Sequence, residues 1–221
     1  MRMFGPLIPL LFSFILLPLL VVLLHVQAVS LAFANLGLTP TSVIVIFYLT
    51  LLGGFVNIPV SRRRIRVEGK PWLPLPFPIP LFYYPPRVRE QVLAVNVGGA
   101  VIPILLSLYV LPNAPLAKVL LATIAVSAVC FVIARPKEGV GITIPALIPP
   151  FVAALLAYLL VSDPAGRTAV AYISGVMGTL IGADLLNLPR IHRLGAHVVS
   201  IGGAGVFDGI FLVGILAALL T

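Results

Sequence analysis

Cysteine is nearly absent. Cys130 stands alone in 221 residues, which excludes an internal disulfide and leaves nothing for a cysteine-rich metal site. It lies in an apolar run and reads as a small buried filler. Charge is scarce too: Asp, Glu, Lys and Arg make up 9% of the chain, against roughly a quarter in soluble domains, whereas 61% is hydrophobic and mean hydropathy is +1.19. That balance excludes a soluble domain and puts the chain among membrane proteins. Acids are scarcest of all, six against fourteen Lys and Arg, for a net charge of +8. In a soluble protein this excess would suggest nucleic acid. Here the basic residues cluster between apolar runs, where they act as topology and headgroup determinants, and no nucleic-acid partner is expected.

What the sequence has in abundance is apolar stretches of about twenty residues, the length a helix needs to cross a hydrocarbon layer of roughly 30 Å. They recur near 4–25, 41–60, 92–111, 116–134, 142–161, 168–188 and 199–220. The first is too long for the apolar core of a signal peptide and is assigned as a membrane helix. The expected fold is all-α: one integral membrane domain over residues 1–221, a polytopic bundle of about seven transmembrane helices. The charges orient it. With the N-terminus cytoplasmic and the C-terminus outside, Arg2, Arg62, Arg63, Arg64, Arg66, Lys70, Arg87, Arg89, Arg135, Lys137, Arg190 and Arg193 fall inside, and only Lys118 and Arg167 outside.

One long linker, 61–90, interrupts the pattern. It opens with the basic patch SRRRIRVEGK, suited to anionic lipid headgroups near 61–70. It continues as PWLPLPFPIPLFYYPP, in which proline blocks helix and sheet pairing, and Trp72, Tyr83 and Tyr84 suit the membrane interface.

Polar and irregular positions inside the spans mark the candidate site. In AVNVGGAVIP, glycines and Pro103 let the helix kink and present Asn96 inward. Pro145, Pro149 and Pro150 argue against a regular start to the fifth span, either as an unwound segment or as a loop that reaches deeper and leaves a shorter helix. Gly175, Gly178 and Gly182 share a face of the sixth span, and Asp184 follows about a turn from its cytoplasmic end. In the seventh, IGGAGVFDG surrounds Asp208 with Gly202, Gly203, Gly205 and Gly209. As a regular helix that span would hold Asp208 near mid-membrane, where an ionisable group is costly and marks function, whereas an unwound IGGAG would bring it toward the cytoplasmic third. Asp184, His192, His197 and Asp208 match no compact ligand pattern, so no metal and no cofactor are expected.

Two carboxylates brought together in a low dielectric would share a proton, one acting as base toward water and the other, protonated, polarising a peptide carbonyl. That chemistry is aspartyl proteolysis of a membrane-embedded peptide. The same groups beside broken helices would serve a proton- or cation-coupled small-solute transporter or channel. A non-catalytic membrane scaffold would need neither carboxylate.

NVGGAVIP, GADLLNL and IGGAGVFDGIFLVGILA resemble segments of an uncharacterised family of small prokaryotic multi-pass membrane proteins, which implies the prokaryotic cytoplasmic membrane. A weaker likeness runs to intramembrane aspartyl proteases of the presenilin, signal peptide peptidase and prepilin peptidase type, with one aspartate on a helix and a second in a Gly-x-Gly-Asp motif. It implies catalytic roles for Asp184 and Asp208, with Gly203-Ala204-Gly205 before the second and Pro145-Ala146-Leu147 as the Pro-Ala-Leu element. Asp208 comes two residues later than that motif has it, Ala183 stands where presenilin-like members have tyrosine, and Pro145-Ala146-Leu147 precedes both aspartates.

Overall fold

The computed structural model describes residues 27, 29–67, 87–137, 141–193, 198–203 and 209–221. The first expected span, the proline-rich stretch, Gly205 and Asp208 lie outside the described residues. In order come α1 (29–35), α2 (Pro40–Gly53), β1 (Asn57–Val67), β2 (Arg87–Asn96), a π turn (Val97–Val101) opening α3 (Ile102–Val110), and α4 (Leu116–Ile133). A short hairpin, β3 (Arg135–Lys137) with β4 (Gly141–Thr143), leads to α5 (Ile148–Leu160). The helix α6 (Pro164–Thr179) then runs through a second π turn (Leu180–Leu185) to α7 (Leu188–Arg193), and β5 (Val198–Ile201) and α8 (Gly209–Leu219) close the chain.

Local chemistry starts the helices. Thr39 and Asp163 each precede a proline and accept from a backbone N–H three residues on, Ser42 at 3.4 Å and Gly166 at 2.7 Å. This satisfies an otherwise orphaned donor, and the proline is preset for the first helical position. Arg167 secures the start of α6 by donating to the Val161 and Ser162 carbonyls and lying over the Tyr158 ring at 4.4 Å.

The hub of the bundle is α6, most of whose residues are buried. Gly166 faces Val161, and Gly175 faces Ala153, so α5 runs antiparallel to α6; Gly175 also faces Val213, and Gly214 faces Tyr172, so α8 does too. In contrast, Gly178 faces Val126, and Gly182 faces Ser127 and Cys130, so α4 runs parallel to it. The alternation gathers the C-terminal ends of α2, α4 and α6 with the N-terminal ends of α3, α5 and α8. The strands and the arginines of 62–66, 87–89, 135 and 190 belong to this end, called here the basic end.

Small residues line much of the interior, with Ala122, Ala153, Ala157, Ala171, Ser174 and Ala217 fully enclosed beside a few large ones such as Phe33, Tyr172 and Phe211. Large apolar side chains point outward, among them Tyr48 and Leu52 of α2, Leu108 of α3, Ile124 of α4 and Leu159 of α5. Small residues inside let helix backbones approach closely. An outer surface this apolar requires an apolar environment or a partner.

The chain is mostly helical, and a small sheet corrects the all-α expectation. β2 is its central strand, antiparallel to β1 from Asn57 opposite Asn96 to Val67 opposite Arg87, with a bulge between Pro59 and Ser61. On its other side β2 runs parallel to β5, Val92 opposite Val198 to Val95 opposite Ile201. The expected second, third and seventh spans each lose residues to a strand, so the 61–90 linker is in part a β-ribbon. The reason is local: Ile58, Val60, Val95, Val198, Val199 and Ile201 are β-branched, and Pro59 cannot continue a helix. Similarly, the fifth helix starts only at Ile148, after β4 and a turn over residues 146–147.

Among the described residues two helices are long and apolar enough to cross a membrane, Leu116–Ile133 and Pro164–Arg190; Pro40–Gly53, Val97–Asn113, Ile148–Leu160 and Ile210–Leu219 are apolar but shorter, so the described helices do not make up the seven full spans expected. At 18 residues the former is about 27 Å long, near the hydrocarbon thickness.

Where α2 and α3 meet at the basic end, a Cβ on Gly98 would overlap the Thr50 carbonyl and the Gly54 nitrogen. Gly98→Ala is therefore expected to destabilise by about 1–3 kcal/mol, the cost of overpacking against atoms that cannot move aside. Thermal unfolding of the detergent-solubilised protein checks this, with Leu108→Ala, on the outer surface, as the near-neutral comparison.

Candidate functional site

Four chain breaks converge at the basic end: the α2–β1 turn, the two π turns, and the end of β5. Each frees backbone groups that side chains then satisfy. Asn96, the last residue of β2, is fully buried. Its Nδ2 donates to the Gly54 carbonyl at 2.8 Å and to Asn57 Oδ1 at 3.3 Å, while its Oδ1 accepts from the Gly99 N–H at 2.7 Å. One amide thus ties the end of α2 to the start of α3 and caps the first π turn.

The second π turn is closed from the other side. Leu186 N–H donates to the Ile181 carbonyl at 2.9 Å, and the buried Asn187 donates through Nδ2 to the Gly182 carbonyl at 2.9 Å. Arg190 holds Asn187 by donating to its Oδ1 at 2.9 Å and lies over the Phe131 ring at 4.8 Å. A π turn adds a residue to the helical circuit and so re-aims the side chains after it. Asp184 sits within this one.

Between the two π turns lies the end of β5. Gly202 and Gly203 have φ of +87° and +90°, a conformation that side chains strongly disfavour. Gly202 is also pressed against the first π turn, where an added Cβ would come within 2.6 Å of Ala100 Cβ. Its N–H donates to Asp184 Oδ2 at 2.7 Å, a short hydrogen bond of the charge-assisted kind when the carboxylate is ionised. Ser200 Oγ lies 2.6 Å from both Asn57 Oδ1 and the Gly203 carbonyl, and its one proton serves one of them at a time. Asn57, Asn96, Asp184, Ser200, Gly202 and Gly203 therefore form one polar node.

Of the residues expected from sequence, Asp184, Asn96 and Gly203 are brought together in this node. Gly182 acts as a packing contact, since a Cβ there would overlap the Ser127 carbonyl of α4. Pro145, Ala146 and Leu147 lie in an exposed stretch ahead of α5, with Leu147 71% exposed, and none of the node's hydrogen bonds involves them. Arg190, six residues after Asp184, is engaged with Asn187 and Phe131. Among the described residues no group of three or more His, Cys, Asp or Glu is placed to hold a metal.

Gly209 is the first described residue of α8, and 198–201 belong to β5, so the expected seventh span is not one helix running from 199. Gly214 facing Tyr172 and Val176, and Thr221 Oγ1 at 3.3 Å from Thr168 Oγ1, fix the antiparallel register of α6 and α8. Counting back along α8, Gly209 is level with about Leu180, some four residues or about 6 Å along the axis from Asp184.

Asn57, Asn187 and Ser200 were not singled out in sequence, and Gly202 only as one of the glycines around Asp208. The signal available was VVSIGG, β-branched residues running into paired glycines, which marks a strand and a turn in place of a helix.

The chain belongs to the family described as protein of unknown function (DUF1614), whose model matches residues 51–220. This agrees with the likeness to an uncharacterised family; the comparisons lend no support to the likeness to aspartyl proteases. No curated protein matches the chain, and no solved structure does.

Replacing Asn96 by leucine would strand the buried Gly54 carbonyl and Gly99 N–H, at about 1–3 kcal/mol for each group left unpaired. Asn96→Leu is expected to lower thermal stability accordingly. Ser200→Ala removes one hydroxyl contact and should cost only about 0.5–1.5 kcal/mol, measured in the same unfolding assay.

Proposed function

We propose that this member of the family is a multi-pass protein of the prokaryotic cytoplasmic membrane, and that Asp184 and Asp208 form a di-aspartyl site that hydrolyses peptide bonds of membrane-embedded substrates. The membrane placement is supported by the outward-facing large apolar side chains and by the gathering of arginines at one end of the bundle. The observation that carries the chemistry is the hold of the Asp184 carboxylate on Gly202. The chain running on from Gly202 reaches Asp208 six residues later, and α8 starts level with the turn that bears Asp184. In this reading the two carboxylates share one proton. The ionised one draws a proton from water as the water attacks the peptide carbonyl, and the protonated one donates to the carbonyl oxygen. Return of a proton to the departing amine completes cleavage.

A second reading, proton- or cation-coupled transport, is favoured by the two π turns and the Gly202–Gly203 break, which interrupt helices where a coupling ion could be bound. It uses the same carboxylates for a different end.

Asparagine separates chemistry from structure. It caps a helix about as well as aspartate and still accepts from the Gly202 N–H, but it cannot exchange a proton. With the purified protein in proteoliposomes and transmembrane reporter peptides, Asp184→Asn and Asp208→Asn are each expected to lower cleavage by at least about 10²-fold without loss of folding. Cleavage unchanged in either variant, or none by the wild type, overturns the di-aspartyl reading. Proton or cation flux that Asp208→Asn abolishes, with no peptide cut, would establish the second reading instead.

A further inference from the structure

The helices α2 and α3 do not close on each other along their outer sides. They leave a groove of about 480 Å³ lined by Val45, Ile46 and Leu49 of α2 and by Ile102, Leu105 and Tyr109 of α3. That volume is in the range of sites for small organic ligands. Its only other lining from polar side chains, Thr41 and Ser42, lies toward the end remote from the arginines.

The position of the groove in the chain is what makes it specific. Both walls continue directly into the β-ribbon: α2 runs through Phe55 and Val56 into β1, and β2 runs through the first π turn into α3. Along that path apolar surface persists, with Phe55, Val56, Ile58 and Val60 all exposed. Charge then follows abruptly. Arg62 is two residues beyond Val60, about 7 Å on, and Arg62, Arg63 and Arg64 are all exposed. Glu90, opposite Arg64, is the one acid in the described ribbon, against six arginines. An apolar slot continued by apolar strand surface and ended by guanidinium groups has the order of parts of an anionic amphiphile.

We propose that the α2–α3 groove holds an acyl chain of an anionic phospholipid whose phosphate is bound by Arg62 and Arg64, which share one face of β1 with the exposed Pro59. Arginine suits this role because its planar guanidinium can hold two phosphate oxygens at once. The ligand would be a lipid bound at a fixed place on the protein, distinct from general attraction of a basic surface to the bilayer. The inference rests on the membrane placement proposed above and is independent of the chemistry of the two aspartates.

Two sets of variants test it. The full-length protein is purified in detergent and offered phosphatidylglycerol or phosphatidylcholine with identical chains. Lipid retention is then read by native mass spectrometry, with soluble glycerol phosphate and inorganic phosphate as competitors. The wild type is expected to retain phosphatidylglycerol at least about tenfold better than phosphatidylcholine. Arg62→Gln/Arg64→Gln should remove that preference while leaving thermal stability unchanged. Val45→Phe/Leu105→Phe, which fills the groove from its outward side, should reduce retention of both lipids. The proposal fails if the arginine variant keeps its preference, if the filled groove retains lipid as before, or if glycerol phosphate or inorganic phosphate alone displaces the lipid. Asp184→Asn and Asp208→Asn should retain lipid as the wild type does, so loss of catalysis and loss of lipid binding are read separately.

Discussion

The structure turns on the hydrogen bond from Gly202 to Asp184. For that bond to form, β5 has to end beside β2, the chain has to turn through two left-handed residues, and the Gly202 backbone has to enter a space no wider than a glycine beside Ala100. Each condition depends on a different element. Parallel pairing with β2 sets where β5 ends, Asn96 holds the first π turn against which Gly202 presses, and the second π turn aims Asp184 from the other side. The carboxylate is therefore the point at which the sheet and the helical bundle are joined.

The same region explains how the chain can interrupt so many helices in an apolar setting. A broken helix frees N–H and carbonyl groups, and each costs several kcal/mol if it faces hydrocarbon unpaired. Here the freed groups are met by buried side-chain amides. Asn96 serves an acceptor and a donor across the α2–α3 junction, and Asn187 serves the Gly182 carbonyl. Amides suit the task because they carry both donor and acceptor and add no charge. Asp184, which does carry charge, is placed instead where a strand and a glycine turn supply an N–H.

The helical content, the basic-end clustering of arginines and the partial order of the site could be read in the sequence, because they follow from run length, charge position and the rarity of acids. Asp184 stood out for that reason and Asn96 as a polar residue in a glycine-bearing apolar span, and both lie in the node. The strands could not be read in the same way. NIPV, VLAVN and VVSI are short, apolar and continuous with longer apolar runs, and a buried strand of that kind has the same hydropathy as the end of a membrane helix. What separates them is β-branching and the paired glycines after Ile201, a weak local signal that pairing with β2 makes decisive. Pro145, Ala146 and Leu147 stood out for a different reason, their likeness to a short motif, and their exposure ahead of α5 detaches them from the node.

The strand at 198–201 changes the physical problem that Asp208 poses. In a helix beginning at 199, a carboxylate ten residues in would lie near the middle of the hydrocarbon, where it must be protonated, paired or hydrated. With residues 198–201 taken by β5 and Gly209 the first described residue of α8, that ten-residue count along one helix does not apply. Depth counted along a helix therefore no longer argues by itself for a function of Asp208. What the described residues add is the axial alignment of Gly209 with Leu180, which sets the described start of α8 beside the turn that bears Asp184.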